Sequence, residues 1–300
     1  MTAPGRAVLL ANLMLCLRRS EWILTVYFAY VAFLAQVLPV PKPIPVLAPT
    51  LNATVIGGFL LLAWAESLRG RELFRVLRDW YPAPLMLLAY REIGWLAPPR
   101  HTYRFEHSWV LWDKRLLNDW GLRAIIESLG PLLPAVLELA YLLVYTTPLF
   151  CVAMLYVYRR RERVDRFLTL FLVAILSSYA LFPYFPSEPP RRVFPGQDFP
   201  NVETLFRRLN WELLEGQGIR TSVFPSAHVA GGFAAAFGMM RLLERRWVGR
   251  FLLVLAVLIA TAVVYGRYHY AVDALAGLGA ALWAWGATAL WERRPASSRA

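Results

Sequence analysis

Long apolar runs alternate with short, arginine-rich breaks along most of this 300-residue chain. The stretches 132–158 and 251–265 are the clearest. At 1.5 Å rise per residue, about 18–20 apolar residues cross the roughly 30 Å hydrocarbon layer of a bilayer. Eight segments fit, at about 22–40, 50–66, 80–97, 131–157, 166–184, 224–243, 251–266 and 271–291. The expected fold is therefore all-α, a polytopic membrane helical bundle of about eight spans. The third segment carries Pro82, Pro84, Arg91 and Glu92, yet its crossing keeps the arginines of 69–78 and 159–166 on one side. The proline-rich linker 39–49 is expected to be extended.

Two longer segments face the other side. Segment 98–130 carries Trp109, Trp112 and Trp120, with Leu116, Leu117, Ala124 and Ile125 at helical spacing among charges. That pattern predicts an interfacial helix. Segment 185–223 opens on prolines and continues into a mixed helical stretch near 202–214.

Composition agrees with this pattern. Apolar residues reach 58% and charged residues only 17%, against about 45–50% and about 25% in soluble domains. A disordered chain, a coiled coil and an ordinary soluble enzyme are excluded. A net charge of +12 would suggest nucleic acid in a soluble protein. Here the arginines lie between apolar runs, so the expected partner is the lipid bilayer and no nucleic acid. The twelve Trp and fourteen Tyr suit interfacial belts. Arginine density places the short loops and both termini in the cytoplasm and the long segments outside. A bacterial inner membrane with a periplasmic active site fits this arrangement. The run after Arg18 and Arg19 reads as a retained first span rather than a cleaved leader. Cys16 and Cys151 form neither a disulfide framework nor a metal signature.

Of the four histidines, His101 and His107 read as solvated loop residues. His228 and His269 both fall at span ends on the outer side. Asp273 follows His269 by four residues and shares its helical face. A carboxylate there can accept the Nδ1 proton and leave Nε2 free as a nucleophile. Pro225 and Ser226 open a helix whose N-terminus favours anions. Arg267, Arg191 and Arg192 stand on the same side. Their planar forks suit phosphate oxygens, so the set describes a phosphate pocket.

The strings Phe224-Pro225-Ser226-Ala227-His228-x-x-Gly231-Gly232 and Arg267-Tyr268-His269-Tyr270-x-x-Asp273-x-x-x-Gly277 resemble signature motifs of the type 2 phosphatidic acid phosphatase (PAP2) superfamily. They are most similar to the branch of inositol phosphorylceramide synthase and its bacterial relatives. The resemblance covers roughly 183–280. It divides the chain into an N-terminal segment, 1–79, with two extra spans, and a six-helix core, 80–300. It implies that His269 attacks phosphorus and forms a phosphohistidine, that Asp273 orients it and that His228 protonates the leaving oxygen. Arg267, Arg191 and the backbone near Ser226 would hold the phosphoryl oxygens. The superfamily's first motif has a lysine seven residues before its arginine. Here Tyr184 and Phe185 stand at those positions before Arg191 and Arg192, and spacing does not tell which arginine points inward.

With no carboxylate cluster in the outer segments, neither a metal nor another cofactor is expected. Arg91 and Glu138 lie at similar depth on the outer side. They could form a membrane-embedded pair near a lipid cavity; otherwise Glu138 faces a vestibule and Arg91 snorkels. The expected activity is that of a membrane lipid phosphatase or phosphotransferase acting on lipid phosphate esters. A headgroup phosphotransferase is one alternative, and a lipid transporter or flippase is another. A structural subunit with a decayed site is the remaining class, and the acceptor and oligomeric state stay open.

Overall fold

The computed structural model describes residues 16–69, 72–97, 102–221 and 223–293. Those residues are mostly helical, with no strand among them. The order is α1 (Arg19–Val37), α2 (Ile44–Arg69), α3 (Glu72–Trp80), α4 (Pro82–Leu96), α5 (Arg104–Lys114), α6 (Leu122–Glu127) and α7 (Leu132–Leu143). Then come α8 (Thr147–Val157), α9 (Val164–Leu181), α10 (Pro190–Val193), α11 (Leu205–Gln217), α12 (Ala227–Leu242), α13 (Arg246–Tyr265) and α14 (Ala271–Arg293). One continuous apolar core reaches from Leu17 to Ala284. The molecule is an all-α polytopic membrane bundle.

Among the described residues, six stretches are long and apolar enough to cross a membrane unaided: Arg19–Val37, Ile44–Leu68, Leu132–Val157, Arg161–Leu181, Arg246–Tyr265 and Ala271–Glu292. The other two expected spans are the shorter helices α4 and α12, of 15 and 16 residues, about 22–24 Å long. α12 is largely buried and packs against α9, α13 and α14. Gly231, Gly232, Ala234, Ala235, Ala236 and Gly238 make it thin, as close helix packing in membranes requires. The approach is tightest at Gly277 of α14. A Cβ there would stand 2.4 Å from the carbonyl oxygen of Ser226. Only glycine lets α14 meet the start of α12.

Prolines bend the chain in two instructive ways. The linker 39–49 is not extended throughout, because α2 already begins at Ile44 and contains Pro45 and Pro49. Pro45 lies in the first turn, where no N–H is needed. The carbonyl that Pro49 leaves without a helical partner is that of Pro45, and Gln36 Nε2 donates to it at 2.6 Å. The second bend falls in the expected span 131–157. Pro148 cannot donate to the carbonyl of Val144. The chain tightens into a 3₁₀ turn at Val144–Thr146 between α7 and α8. That turn carries Tyr145 toward His228.

The arginine-rich loops meet at one end of the bundle. Asp79 accepts from Arg18 Nη1 and Arg161 Nε, both at 2.6 Å. Glu21, wholly buried, accepts from Arg78 Nε at 2.7 Å, Arg78 Nη2 at 2.5 Å and Tyr81 Oη at 2.8 Å. Asp165 accepts from the Ser20 backbone N–H at 3.0 Å. α12 ends here too, where Arg163 Nη1 reaches the Leu242 carbonyl at 2.5 Å. His228, at the opposite end of α12, therefore lies across the bundle from the arginine clusters.

Buried and exposed ion pairs at this end should respond differently. Glu21→Ala removes the bonds to Arg78 Nε and Nη2 but leaves that guanidinium its Glu66 pair at 2.7 Å, and should cost about 1.5–3 kcal/mol. Arg75 is 51% exposed in its pairs with Glu66 and Glu72, so Arg75→Ala should cost less than about 1 kcal/mol. Apparent melting temperatures in detergent check the contrast, and equal shifts would refute it.

Candidate active site

The corner between α13 and α14 builds the site. Arg267 there has a left-handed backbone, φ +63°, which a side chain makes costly by about 1–2 kcal/mol. A buried ion pair holds the conformation: Arg267 Nη1 lies 2.5 Å from Asp113 Oδ2, with both side chains 0% exposed. Asp113 Oδ1 also accepts from the Ala271 backbone N–H at 2.9 Å, at the first turn of α14. Burial raises the Asp113 carboxyl above its ordinary range, and the Arg267 cation pulls it back. Asp273 completes the start of α14, where its Oδ2 accepts from the Tyr270 backbone N–H at 2.7 Å. This is the acidic half of a capping box.

The corner aims His269 at the bundle interior. His269 is buried, and its Nδ1 lies 2.9 Å from the Val223 carbonyl and 3.5 Å from Asp273 Oδ2. A carbonyl can only accept, so Nδ1 carries the proton and Nε2 keeps its lone pair. Asp273 was expected to take this proton; the nearer acceptor is Val223, with Asp273 behind it. Burial, with His228 and Arg191 nearby, holds His269 well below its ordinary pKa. The imidazole is therefore neutral and nucleophilic at neutral pH.

His228 opens α12 and faces this nitrogen, its Nδ1 3.4 Å from His269 Nε2. Its other nitrogen lies 3.2 Å from Tyr145 Oη, and its ring stacks on Tyr141 with centroids 5.0 Å apart. Ser226 is the N-cap of α12, where its Oγ accepts from the Val229 N–H at 3.4 Å. Its own N–H donates to the Asp273 carbonyl at 3.0 Å. These bonds tie the two histidine segments together.

Two cavities meet at His228. The smaller, about 20 Å³, is lined by His269, His228, Arg191, Tyr141, Tyr268 and Val223 among others. The larger, about 670 Å³, runs between α4, α8, α9, α11 and α12 and is walled mainly by apolar and aromatic side chains. His228, Tyr90 and Leu214 belong to both walls.

The expected site residues divide accordingly. His228, His269, Asp273 and Ser226 come together. Arg191 lines the smaller cavity, where its Nη1 donates to the Tyr268 carbonyl at 3.4 Å. Arg192 is exposed. Arg267 lines neither cavity and spends its Nη1 on Asp113, while its Nε and Nη2 are buried without a hydrogen-bond partner. Arg91 and Glu138 do not pair. Arg91 stands in the wall of the larger cavity and donates to Gln217 Oε1 at 2.7 Å. Glu138 is buried and taken by Arg207 at 2.9 Å, a nearer cation supplied by α11. His107 is exposed on α5, while His101 lies outside the described residues. Among the described residues, no three His, Cys, Asp or Glu side chains gather as a cation site.

Reading the sequence missed Asp113, Val223, Tyr141 and Tyr145. Val223 acts through its backbone, which no side-chain pattern reveals. Asp113 sat among several acids of an amphipathic helix with nothing to single it out. Its weight can be tested, because Asp113→Asn keeps the shape but leaves the Arg267 cation uncompensated. That variant should lower the apparent melting temperature clearly, whereas Asp119→Asn, on the exposed face, should leave it within error. Equal melting temperatures would refute the corner's dependence on the pair.

No curated protein and no solved structure matches the chain. A family match does cover the region just described. Residues 104–287, more than half of the chain, match the PAP2 superfamily. They include α5 with Asp113, the His228 segment and the His269 corner, so the chain belongs to the PAP2 superfamily, a group of phosphatase-type enzymes acting on phosphate esters.

Proposed function

We propose that this protein is an integral membrane lipid phosphatase or phosphotransferase that works through a phosphohistidine. One observation carries the lipid part. An apolar cavity of about 670 Å³ shares His228 with the small cavity lined by His269 and Arg191. Its size suits a substantial ligand, and its walls suit a lipid chain with its phosphate at the histidines.

The chemistry then follows from the groups present. His269 Nε2 attacks phosphorus with its lone pair, and the bond from phosphorus to the lipid oxygen breaks. His228 gives that oxygen a proton. Arg191 holds phosphoryl oxygens, which matches the electrostatic character of phosphoryl transfer. His228 next removes a proton from water or an alcohol, whose oxygen attacks phosphorus and releases His269. Water makes the enzyme a phosphatase; an alcohol makes it a phosphotransferase of the inositol phosphorylceramide synthase kind. The small cavity has room for about one water, and an alcohol could also arrive through the adjoining apolar cavity.

In this reading Arg191 replaces the lysine and arginine of the usual first motif, Arg267 orders the loop, and no metal takes part. The arginine-rich end of the bundle would face the cytoplasm and the histidines the periplasm.

Purified protein in nanodiscs with EDTA, offered phospholipids and lipid phosphates, should release phosphate or form a new phospholipid. His269→Ala should lose at least about a thousandfold of this activity, as losing a nucleophile does. Activity that survives the substitution would overturn the mechanism, and lipid movement without turnover would favour a flippase. Activity abolished by EDTA and restored by a divalent cation would overturn metal independence.

The pH profile provides a second test. The folded pKa of His269 lies below the unfolded one, so lowering the pH costs both the nucleophile and stability. The acid limb of kcat/KM should therefore fall below the ordinary histidine value of about 6.5. A limb at or above that value would contradict the buried, neutral His269.

A further inference from the structure

Glu138 is connected to more of the site than a structural strut requires. It is 2% exposed on α7. Its carboxylate accepts from Arg207 Nη1 at 2.9 Å and Asn210 Nδ2 at 2.8 Å, both on α11. It also accepts from the hydroxyl of Tyr268 at 2.6 Å. Tyr268 immediately precedes His269. Its ring stacks on Tyr141 with centroids 4.3 Å apart and planes 24° apart, and Tyr141 in turn stacks on His228. The Arg191 guanidinium lies over the Tyr268 ring, 5.9 Å from its centroid.

One carboxylate thus anchors the ring through which His228, His269 and Arg191 are all braced. The far end of α11, at Leu213, Leu214 and Gln217, walls the larger cavity. The helix that holds Glu138 therefore also touches whatever fills that cavity.

We propose that Glu138 is a positioning residue of this site, acting through the Tyr268 hydroxyl and the Tyr268–Tyr141 stack to set His228 against His269. The proposal rests on the phosphohistidine reading above. Stacked rings tolerate sliding, since offset arrangements are close in energy. A short charge-assisted hydrogen bond at one end removes that freedom. Displacing a reacting group by about 1 Å can cost about a hundredfold in rate, so loss of the anchor should appear in turnover rather than in substrate binding.

Two variants separate this role from simple stability. Tyr268→Phe removes only the hydroxyl and keeps the stack. Glu138→Gln keeps the shape and removes the charge. In nanodiscs, each should lower kcat about 10-fold to 100-fold and leave KM within about threefold. The double variant should be no slower than the slower single one, because both act along one path. Titration of isotope-labelled histidines by NMR should show the His228 and His269 curves shifted in Tyr268→Phe, with the apparent melting temperature close to wild type. Unchanged kcat in folded Tyr268→Phe, effects that multiply in the double variant, or unmoved histidine titrations would overturn the proposal. If wild type turns over no lipid phosphate, the phosphohistidine reading fails, and the histidine titrations still decide whether Glu138 positions the pair.

Discussion

A cation buried beside a membrane must bring its own counter-charge, and Arg267 shows what depends on that rule. Its guanidinium is fully buried and its backbone is left-handed, two costs at one residue. Asp113 offsets both by pairing with the side chain and receiving the first N–H of α14. The corner so formed presents His269. Ser226 and Gly277 then bring α12 against α14, and His228 follows. Removing the pair would disturb every later element of the site, although neither partner lines the cavities.

The sequence made the periodic features of this structure legible and left the long-range ones hidden. Apolar runs located the six helices long and apolar enough to cross a membrane, because lipid forces each backbone to satisfy itself within its own helix. Span ends and motif spacing marked the two histidines and Asp273, whose segments the fold then brings together. Proline effects were harder to see. Pro45 and Pro49 sit inside α2 because Gln36, on another helix, receives the orphaned carbonyl. Depth arguments placed Arg91 and Glu138 at one level, but level is not azimuth. Arg207 was closer to Glu138 from α11, a helix whose docking no local pattern encodes.

Family membership and geometry contribute different things. The match over 104–287 supports phosphatase-type chemistry on phosphate esters, and it omits α1, α2 and α4. Yet α4 supplies Met86, Tyr90 and Arg91 to the larger cavity, and α1 packs on α2, α4 and α9. Of the helices before the matched region, α4 is therefore part of the wall around the proposed lipid site, and α1 packs behind it. A substrate chain would read residues that the family pattern does not contain.

The distribution of counter-charges supports a place for substrate charge. Near the histidines, Arg267 meets Asp113, Arg207 meets Glu138 and Arg220 meets Glu188. The two arginines that line the cavities meet neutral groups instead. Arg191 touches the carbonyl and ring of Tyr268, and Arg91 touches Gln217. Unscreened cations in a low-dielectric wall attract anions more strongly than paired ones. Of the two, Arg91 is exposed and Arg191 is not, so in the proposed reaction a phosphate arriving between Arg191 and His269 would supply the charge that Arg191 lacks.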